Sequence, residues 1–231
     1  MKNLISILAA LLTSSLMNPS NALPDRVGDF ALLDSKGEFH QLSRYRHHQA
    51  LVLMAFDNSC SSISTSVAQL NDLQLDFEDK QVSFVLINSS SEGGAEYLKA
   101  TEASLETNAA LLLDNGQLVS ETIEFSKVGE IAILDPDRLT VLYRGDIGPT
   151  VNEILNQVLV GGLTETIVEP SSGCDINYSV KDQHANVVPD YGSEIAPIIA
   201  EQCVSCHREG GIGPFAMDSH LMVQGWSPMI R

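Results

Sequence analysis

Residues 51–60 read LVLMAFDNSC, which is a run of six apolar side chains, a polar turn and a cysteine. An uninterrupted apolar run of this length is typical of a strand covered on both faces of a sheet. Apolar side chains then recur at the spacing of one helix face: Val67, Leu70, Leu73 and Phe77. The sequence therefore predicts a buried strand that leads through Cys60 into a helix over residues 62–79.

Strand and helix patterns alternate on both sides of this unit. Residues 29–43 have the alternation and the Gly-containing turn of a β-hairpin. Further strands are predicted near residues 82–87, 109–113, 130–134 and 139–144, and helices near 95–101, 116–123 and 151–159. We therefore expect an α/β fold with a mixed sheet and flanking helices. Its last antiparallel strand pair and closing helix predict a thioredoxin-like arrangement over residues 23–161.

The first 22 residues have the pattern of a cleaved signal peptide. Lys2 precedes an apolar run over residues 4–12, and Ser20-Asn21-Ala22 places small residues at a cleavage site. A buried helix or a membrane anchor are the alternatives, but the run is too short to span a bilayer. We expect a periplasmic or secreted protein, with no membrane insertion after cleavage.

Charge and composition narrow the functional classes. The chain has 231 residues, with 13 Lys and Arg against 30 Asp and Glu, and a net charge of −17. Nucleic-acid binding needs a basic surface, so this balance argues against it. With 44% hydrophobic and 19% charged residues, the chain is expected to be globular.

The amino-acid composition changes after Gly161, where the sequence becomes polar and contains scattered Pro, Gly and Ser residues. This change predicts a polar linker over residues 162–190 and a short final unit over residues 191–231.

The final unit contains a C-x-x-C-H motif, Cys203-Val204-Ser205-Cys206-His207. Two thiols one helical turn apart can both add to the vinyl groups of one haem, and the adjacent histidine then binds the iron. The motif and the export signal together predict covalent c-type haem on Cys203 and Cys206, with His207 as the proximal iron ligand.

Two other interpretations of this motif stay open. A zinc site would need two more ligands, and Cys174, His184 and His220 are the candidates. A redox C-x-x-C normally opens a helix directly after a strand, whereas a helical stretch precedes this one.

The distal iron ligand is not fixed by the sequence. Its candidates are Met217, Met222, Met229 and His220, and methionine opposite histidine suits electron transfer.

The order of these segments resembles a bacterial family with several domains. Residues 191–231, together with Val141-Leu142-Tyr143-Arg144-Gly145 and Gly173-Cys174-Asp175-Ile176, resemble exported proteins in which an AhpC/TSA-type redoxin domain precedes a cytochrome-c-like segment. A copper type II, ascorbate-dependent monooxygenase-like region can follow in that family. The resemblance implies a redox protein with haem c that exchanges electrons with a partner redox protein.

One difference from the family concerns the end of the chain. Relatives continue past the Trp-Ser-Pro-Met-Ile-Arg stretch into a Met-Pro-Pro segment that looks like the distal haem ligand, whereas this sequence ends at Arg231. The resemblance therefore implies either a truncated chain or a distal ligand supplied by Met217, Met222 or Met229.

Cys60 is the candidate nucleophile of the redoxin domain. A thioredoxin-like fold presents its reactive thiol between the central strand and a helix, where the helix N-terminus lowers the thiol pKa. The surrounding motif is incomplete, since Cys60-Ser61-Ser62-Ile63 contains no second cysteine. The proline expected before the strand at Glu130 is also absent, because Lys127-Val128-Gly129 stands there. Cys174 is the candidate resolving cysteine.

Three functions follow from these residues. The first is electron transfer by covalently bound haem, with a thioredoxin-like domain of degenerate activity. The second is a thiol oxidoreductase or peroxidase of the redoxin class that uses Cys60. The third is a non-catalytic docking module, in which Cys60 would be buried or unreactive.

Overall fold

The computed structural model describes residues 25–91, 94–181 and 189–226. The predicted signal peptide and Met229 therefore lie outside the described residues. Within these ranges, no helix is long and apolar enough to cross a membrane.

The described residues form one mixed sheet of nine strands. In chain order these are β1 Asp25–Arg26, β2 Ala31–Asp34, β3 Phe39–Gln41, β4 Ala50–Phe56, β5 Val82–Asn88, β6 Ala110–Leu113, β7 Ile131–Asp135, β8 Thr140–Gly145 and β9 Ile167–Val168. The strands lie in the order β1-β8-β7-β4-β5-β6-β2-β3, and β9 also pairs with β8. Strands β4, β5 and β6 run parallel, while β7 is antiparallel to both of its neighbours.

Helices cover both faces of this sheet and continue into the C-terminal segment. They are α1 Ile63–Asp76, α2 Ala95–Ser104, α3 Leu118–Ile123, α4 Val151–Leu159, α5 Ala196–Gln202 and α6 His220–Trp226. A 3-10 turn spans Leu42–His47, and a π-helical turn, Tyr191–Ile195, leads into α5.

Strand β4 is the centre of the core. All seven of its residues are buried, and its side chains alternate between two apolar clusters. Met54 packs on the side of Leu70 from α1 and Leu155 from α4, and Leu53 packs on the side of Ile123 from α3. The prediction of a central strand covered on both faces is therefore confirmed. The even-numbered side chains of β4 lie in the cluster with α1 and α4, and the odd-numbered ones lie in the cluster with α3.

The thioredoxin-like part of the predicted fold class is also confirmed, whereas the cytochrome-c-like character of the C-terminal segment stays a prediction. The hairpin forms as an antiparallel pair in which Ala31 lies opposite Gln41. Strands β7 and β8 pair antiparallel, and β8 is followed by the closing helix α4. The observed fold is a thioredoxin-like mixed sheet with flanking helices.

The chain stays on this domain after α4. Strand β9 pairs in parallel with β8, and an antiparallel bridge joins Lys127 to Asp175. Further along, the Tyr178 hydroxyl donates to the Phe125 carbonyl at 2.6 Å. Residues 167–181, within the range predicted as a linker, thus lie along the carboxyl ends of the central strands and reach the position of Cys60.

Candidate functional site

Cys60 lies in the turn between β4 and α1. The Asp57 carboxylate accepts the Ser59 N–H at 2.8 Å, and the Cys60 N–H donates to the Asp57 carbonyl at 3.2 Å. These bonds turn the chain from the strand into the helix. The Cys60 sulfur lies 3.3 Å from the Ser62 hydroxyl oxygen, and the residue is only 2% exposed. The structure therefore places Cys60 where the sequence predicts it, at the start of α1.

Cys60 is joined to Cys174 by a disulfide that closes a separation of 114 residues. Their Cα atoms lie 5.8 Å apart. Cys60 is buried, whereas Cys174 is exposed. Cys174 belongs to residues 167–181, the segment that lies on the domain after α4 and is called the tail below. Sequence reasoning named Cys174 as the candidate resolving cysteine, and the structure brings the two residues together. Their chemical roles stay predictions.

The loop opposite Cys60 is held by a buried carboxylate in place of a proline. Glu130 is 4% exposed, and its Oε2 accepts the Ser126 N–H at 2.7 Å, the Ser126 hydroxyl at 2.9 Å and the Lys127 N–H at 3.0 Å. The described residues contain no cis peptide bond. Glu130 was missed by the sequence analysis, although an acid at the edge of an apolar strand is a recognisable signal.

The tail pairs with this loop through its backbone. The Val128 N–H donates to the Cys174 carbonyl at 2.9 Å, and the Ile176 N–H donates to the Ser126 carbonyl at 3.1 Å. Between these bonds, the Lys127 ammonium lies 2.5 Å from the Asp175 carboxylate. The tail therefore forms a short antiparallel pair with the loop that faces Cys60.

Gln117 fastens the same tail from the other side. This side chain is 1% exposed, and its amide donates to the Ser89 carbonyl at 2.7 Å and to the Asn177 carbonyl at 2.8 Å. A cavity of about 450 Å³ opens beside it, lined by Asp57, Ser59, Ser89, Ser90, Ser91, Tyr97, Gln117, Asp175, Ile176 and Asn177. Nothing in the local sequence distinguishes Gln117, because its role depends on a residue 60 positions away.

The comparisons with known proteins concern this domain. Residues 23–135 match the model of the AhpC/TSA family, which is just under half of the chain. This domain is therefore similar to the AhpC/TSA family. No curated protein matches the chain.

Solved structures support the same fold. An uncharacterized conserved protein from Geobacillus kaustophilus is 24% identical with a TM-score of 0.60, and covers 70% of this chain and 94% of its own. A hypothetical protein from Sinorhizobium meliloti 1021 is 22% identical with a TM-score of 0.59, covering 68% and 95%. A proposed thiol:disulfide interchange protein DsbE from Chlorobium tepidum is 18% identical with a TM-score of 0.50, covering 61% and 96%. These similarities show the thioredoxin-like fold of this domain.

The C-x-x-C-H motif lies at the end of α5. The Cys203 N–H donates to the Ile199 carbonyl at 2.9 Å, and the His207 N–H donates to the Cys203 carbonyl at 2.9 Å. The motif thus continues the helical turn of α5. Cys203 and Cys206 are free thiols, and Cys206 is exposed. Both thiols are therefore available for thioether bonds to one group.

The ring of His207 is oriented by the loop that follows it. Its Nδ1 lies 3.0 Å from the Phe215 carbonyl oxygen. A carbonyl can only accept, so this bond requires a proton on Nδ1 and leaves the Nε2 lone pair for a metal ion. Gly213 makes this approach feasible, because a Cβ at that position would lie 2.7 Å from Nδ1. The bonded Nδ1 of His207 and the two free thiols are thus compatible with attachment of c-type haem.

The candidate distal ligands have different surroundings. Met217 is 6% exposed, and its N–H donates to the His207 carbonyl at 2.8 Å. Met222 lines a cavity that Gly213, Pro214 and Phe215 also line. Both methionines thus lie by the loop that holds His207 Nδ1. His220 stacks on Tyr191 with ring centroids 4.0 Å apart. The distal ligand stays a prediction.

The zinc alternative loses one of its ligands in this structure, because Cys174 is bonded to Cys60. His184 lies outside the described residues. In the described part of the chain, the group with metal-ligand geometry is Asp34, Glu38 and His40. Asp34 already accepts the N–H groups of Lys36 and Glu38, at 2.9 and 2.8 Å, which identifies it as the acceptor of a tight turn.

Proposed function

We propose that this protein is an exported redox protein that carries c-type haem on its C-terminal segment for electron transfer. Cys203 and Cys206 would form the thioether bonds, and His207 would bind the iron through Nε2. When bound, this group supplies a one-electron couple. The observation that carries the proposal is the hydrogen bond from His207 Nδ1 to the Phe215 carbonyl, next to two free thiols.

The roles of the protein residues follow from this bond. The Phe215 carbonyl fixes the tautomer and the rotation of the His207 ring, so that Nε2 points away from the loop. The hydrogen bond also raises the basicity of Nε2 as a ligand. The helical turn from Cys203 to His207 sets the spacing of the thiols relative to the imidazole. Cys203, Cys206 and His207 would thus hold the haem together, through two thioether bonds and one iron ligand.

A pyridine haemochrome spectrum of the chain, expressed with export and c-type haem maturation, tests this proposal. We expect a spectrum with two thioether bonds for wild type, and loss of covalent haem in Cys203→Ser/Cys206→Ser. His207→Ala should lose the low-spin spectrum. Cys60→Ser/Cys174→Ser is the matched control in which the two disulfide-bonded cysteines are replaced, and it should retain haem. Wild-type spectra in the Cys203→Ser/Cys206→Ser variant would refute the assignment.

A second function is favoured by the Cys60–Cys174 disulfide, namely thiol-disulfide exchange. Cys174 is the exposed partner, so an incoming thiolate attacks its sulfur. A bond forms between that thiol and Cys174, and Cys60 leaves as a thiolate beside the Ser62 hydroxyl and the N-terminus of α1. A second thiol of the same dithiol then releases Cys174. One dithiol is oxidised and one disulfide is reduced, with transfer of two electrons and two protons.

Titration with dithiothreitol buffers tests this second function. We expect the disulfide to be reduced reversibly in the folded protein, as judged by mass-spectrometric counting of alkylated Cys60 and Cys174. Cys203→Ser/Cys206→Ser removes the other two thiols and should leave the titration unchanged. If the disulfide is reduced only when the domain unfolds, it is structural, and the thioredoxin-like domain is a docking module.

We also propose export to the periplasm or outside the cell, with a partner redox protein as electron donor or acceptor. The support is the signal-peptide pattern of residues 1–22 and the disulfide, since disulfides persist in oxidising compartments. N-terminal sequencing of the exported chain tests this, with cleavage expected after Ala22. A chain that retains Met1 in the cell extract would contradict it.

A further inference from the structure

Residues 172–178 contact the domain as a bound extended peptide would. The loop at residues 126–129 donates from Val128 to the Cys174 carbonyl and accepts from Ile176 at the Ser126 carbonyl. These two bonds flank the antiparallel bridge between Lys127 and Asp175. This is the pattern by which a sheet edge takes up an extra strand. The backbone bonds give the segment its register, and this register brings Cys174 to Cys60.

The side chains of the segment give this site its selectivity. A Cβ on Gly173 would lie 2.4 Å from the Val128 carbonyl oxygen, and Gly173 has φ of +112°, so a side chain there is excluded by space and by conformation. Asp175 meets the ammonium of Lys127. Ile176 packs against both apolar clusters of the domain. Each position thus has its own requirement, in the order glycine, cysteine, acid, aliphatic residue.

We propose that residues 172–178 occupy a binding groove for a partner's extended Gly-Cys-acidic-aliphatic segment, and that the disulfide holds this internal occupant in place until it is reduced. The proposal rests on the thiol-disulfide exchange function given above. It adds the class of ligand, which is a cysteine-containing peptide of this pattern in extended conformation.

The bond changes explain how the groove becomes available. An incoming dithiol reduces the Cys60–Cys174 bond, and the dithiol itself is oxidised to a disulfide. The internal segment then loses its covalent link and keeps only its hydrogen bonds and the Lys127–Asp175 pair, which is exposed on the Asp175 side. The Cys60 thiolate can then attack a disulfide on the partner segment, forming a mixed disulfide and expelling the other sulfur as a thiolate. Electrons are conserved in both exchanges.

The test uses the full chain with Cys174→Ser, which frees Cys60, and three synthetic nonapeptides. They are SSGCDINYS, which copies residues 171–179, SSACDINYS and SSGCKINYS. Each carries its cysteine as a mixed disulfide with 5-thio-2-nitrobenzoate, whose release measures the reaction. A chain with Cys60→Ser/Cys174→Ser gives the background from Cys203 and Cys206. The tethered segment of the Cys174→Ser chain competes equally with all three peptides, so their ratios remain interpretable.

We expect the native peptide to react about tenfold faster than the alanine peptide, because a backbone clash in a packed site has an effect of that order. The lysine peptide should react only about threefold more slowly than the native one, since the Asp175 side chain of this charge pair is exposed. Lys127→Glu in the same background should reverse the preference between the aspartate and lysine peptides. It should leave the preference for glycine over alanine unchanged.

A fourth probe, glutathione activated in the same way, separates the two proposals. If Cys60 reacts equally with glutathione and all three peptides, thiol exchange stands and the groove does not select this pattern. If Cys60 reacts with none of the probes, the thiol-exchange function itself fails. Equal rates for the alanine and native peptides would overturn the inference even if Lys127→Glu alters reactivity, because the glycine contact is its strongest geometric element.

Discussion

The thioredoxin-like domain and the C-terminal segment are stabilised in different ways. The domain has two apolar clusters that fill both faces of its sheet. Among the described residues beyond Val158, the buried apolar side chain is Met217. Ile198, Ile212 and Leu221 of the same segment are 58%, 92% and 75% exposed. Residues 189–226 therefore have helical hydrogen bonds but almost no core of their own.

The two regions therefore differ in how far their stability depends on a bound ligand. A domain with a filled core is stable through burial of apolar area. A short segment that leaves its aliphatic side chains exposed gains stability from a ligand that covers them. A planar apolar group attached at Cys203 and Cys206 would provide such cover. The segment thus matches the proposed haem function in its lack of a core as well as in its motif.

The largest effect should come from a cavity in the domain core. Leu70 is fully buried between α1 and the sheet, so Leu70→Ala should lower the free energy of unfolding by about 2–5 kcal/mol. Ile198→Ala is the matched aliphatic truncation in α5, and its effect should be below about 0.5 kcal/mol. Urea unfolding followed by circular dichroism measures both. Equal losses would show that α5 packs into a core as the domain helices do.

Attached haem should stabilise the C-terminal segment and leave the domain unchanged. We expect the amides of α5 to exchange about 100-fold more slowly in the haem-loaded chain than in Cys203→Ser/Cys206→Ser, as for a tightly bound ligand. Amides of β4 should exchange at equal rates in both chains. Hydrogen exchange with mass spectrometry reads both regions in one sample. Unchanged exchange in α5 would indicate that the segment is ordered without haem.

The same two regions show what sequence reasoning could predict. The buried strand β4 and helix α1 were predicted because apolar periodicity is a local signal. The C-x-x-C-H motif was found because its chemistry requires a fixed local spacing. The Phe215 carbonyl bonded to His207 was not found, since backbone acceptors have no sequence signature. The fit of Gly173 against Val128 depends on residues 45 positions apart, so only the folded chain shows it.

Substitutions of Glu130 measure how much hydrogen bonding, as distinct from apolar packing, contributes to the stability of the domain. Glu130→Ala removes the acceptor of the Ser126 and Lys127 N–H groups and should lower the free energy of unfolding by about 1–3 kcal/mol. Glu130→Gln keeps an oxygen acceptor and should lose less. Glu78→Ala, an exposed acid in the same domain, should change it by less than about 0.5 kcal/mol. Urea unfolding at neutral pH compares the three, and equal losses in Glu130→Ala and Glu78→Ala would contradict this role.

The smallest effect is a difference in pH dependence between the two regions. Burial raises the pKa of Asp34, but the N–H groups of Glu38 and Lys36 and the nearby His40 outweigh it, so this pKa lies below its ordinary value. The hydroxyl and N–H of Ser193 lower the pKa of Asp190. Both pKa values are lowered in the folded protein. Each ionised carboxylate therefore stabilises its hydrogen-bonded structure at a pH above its ordinary pKa. That contribution is lost as the pH falls through the lowered value.

The readout differs because Asp34 is buried at the end of β2 in the sheet of the domain, whereas Asp190 is exposed outside it. Protonation of Asp34 should lower the unfolding midpoint of the whole domain, and Asp34→Asn should flatten this acid dependence. Protonation of Asp190, which is exposed, should loosen only the π-helical turn Tyr191–Ile195. Thermal unfolding between neutral and acidic pH reports Asp34, and the exchange rate of the Ser193 amide reports Asp190. A shift of the global midpoint in Asp190→Asn would show that the segment unfolds together with the domain, and the distinction between the two regions would not hold.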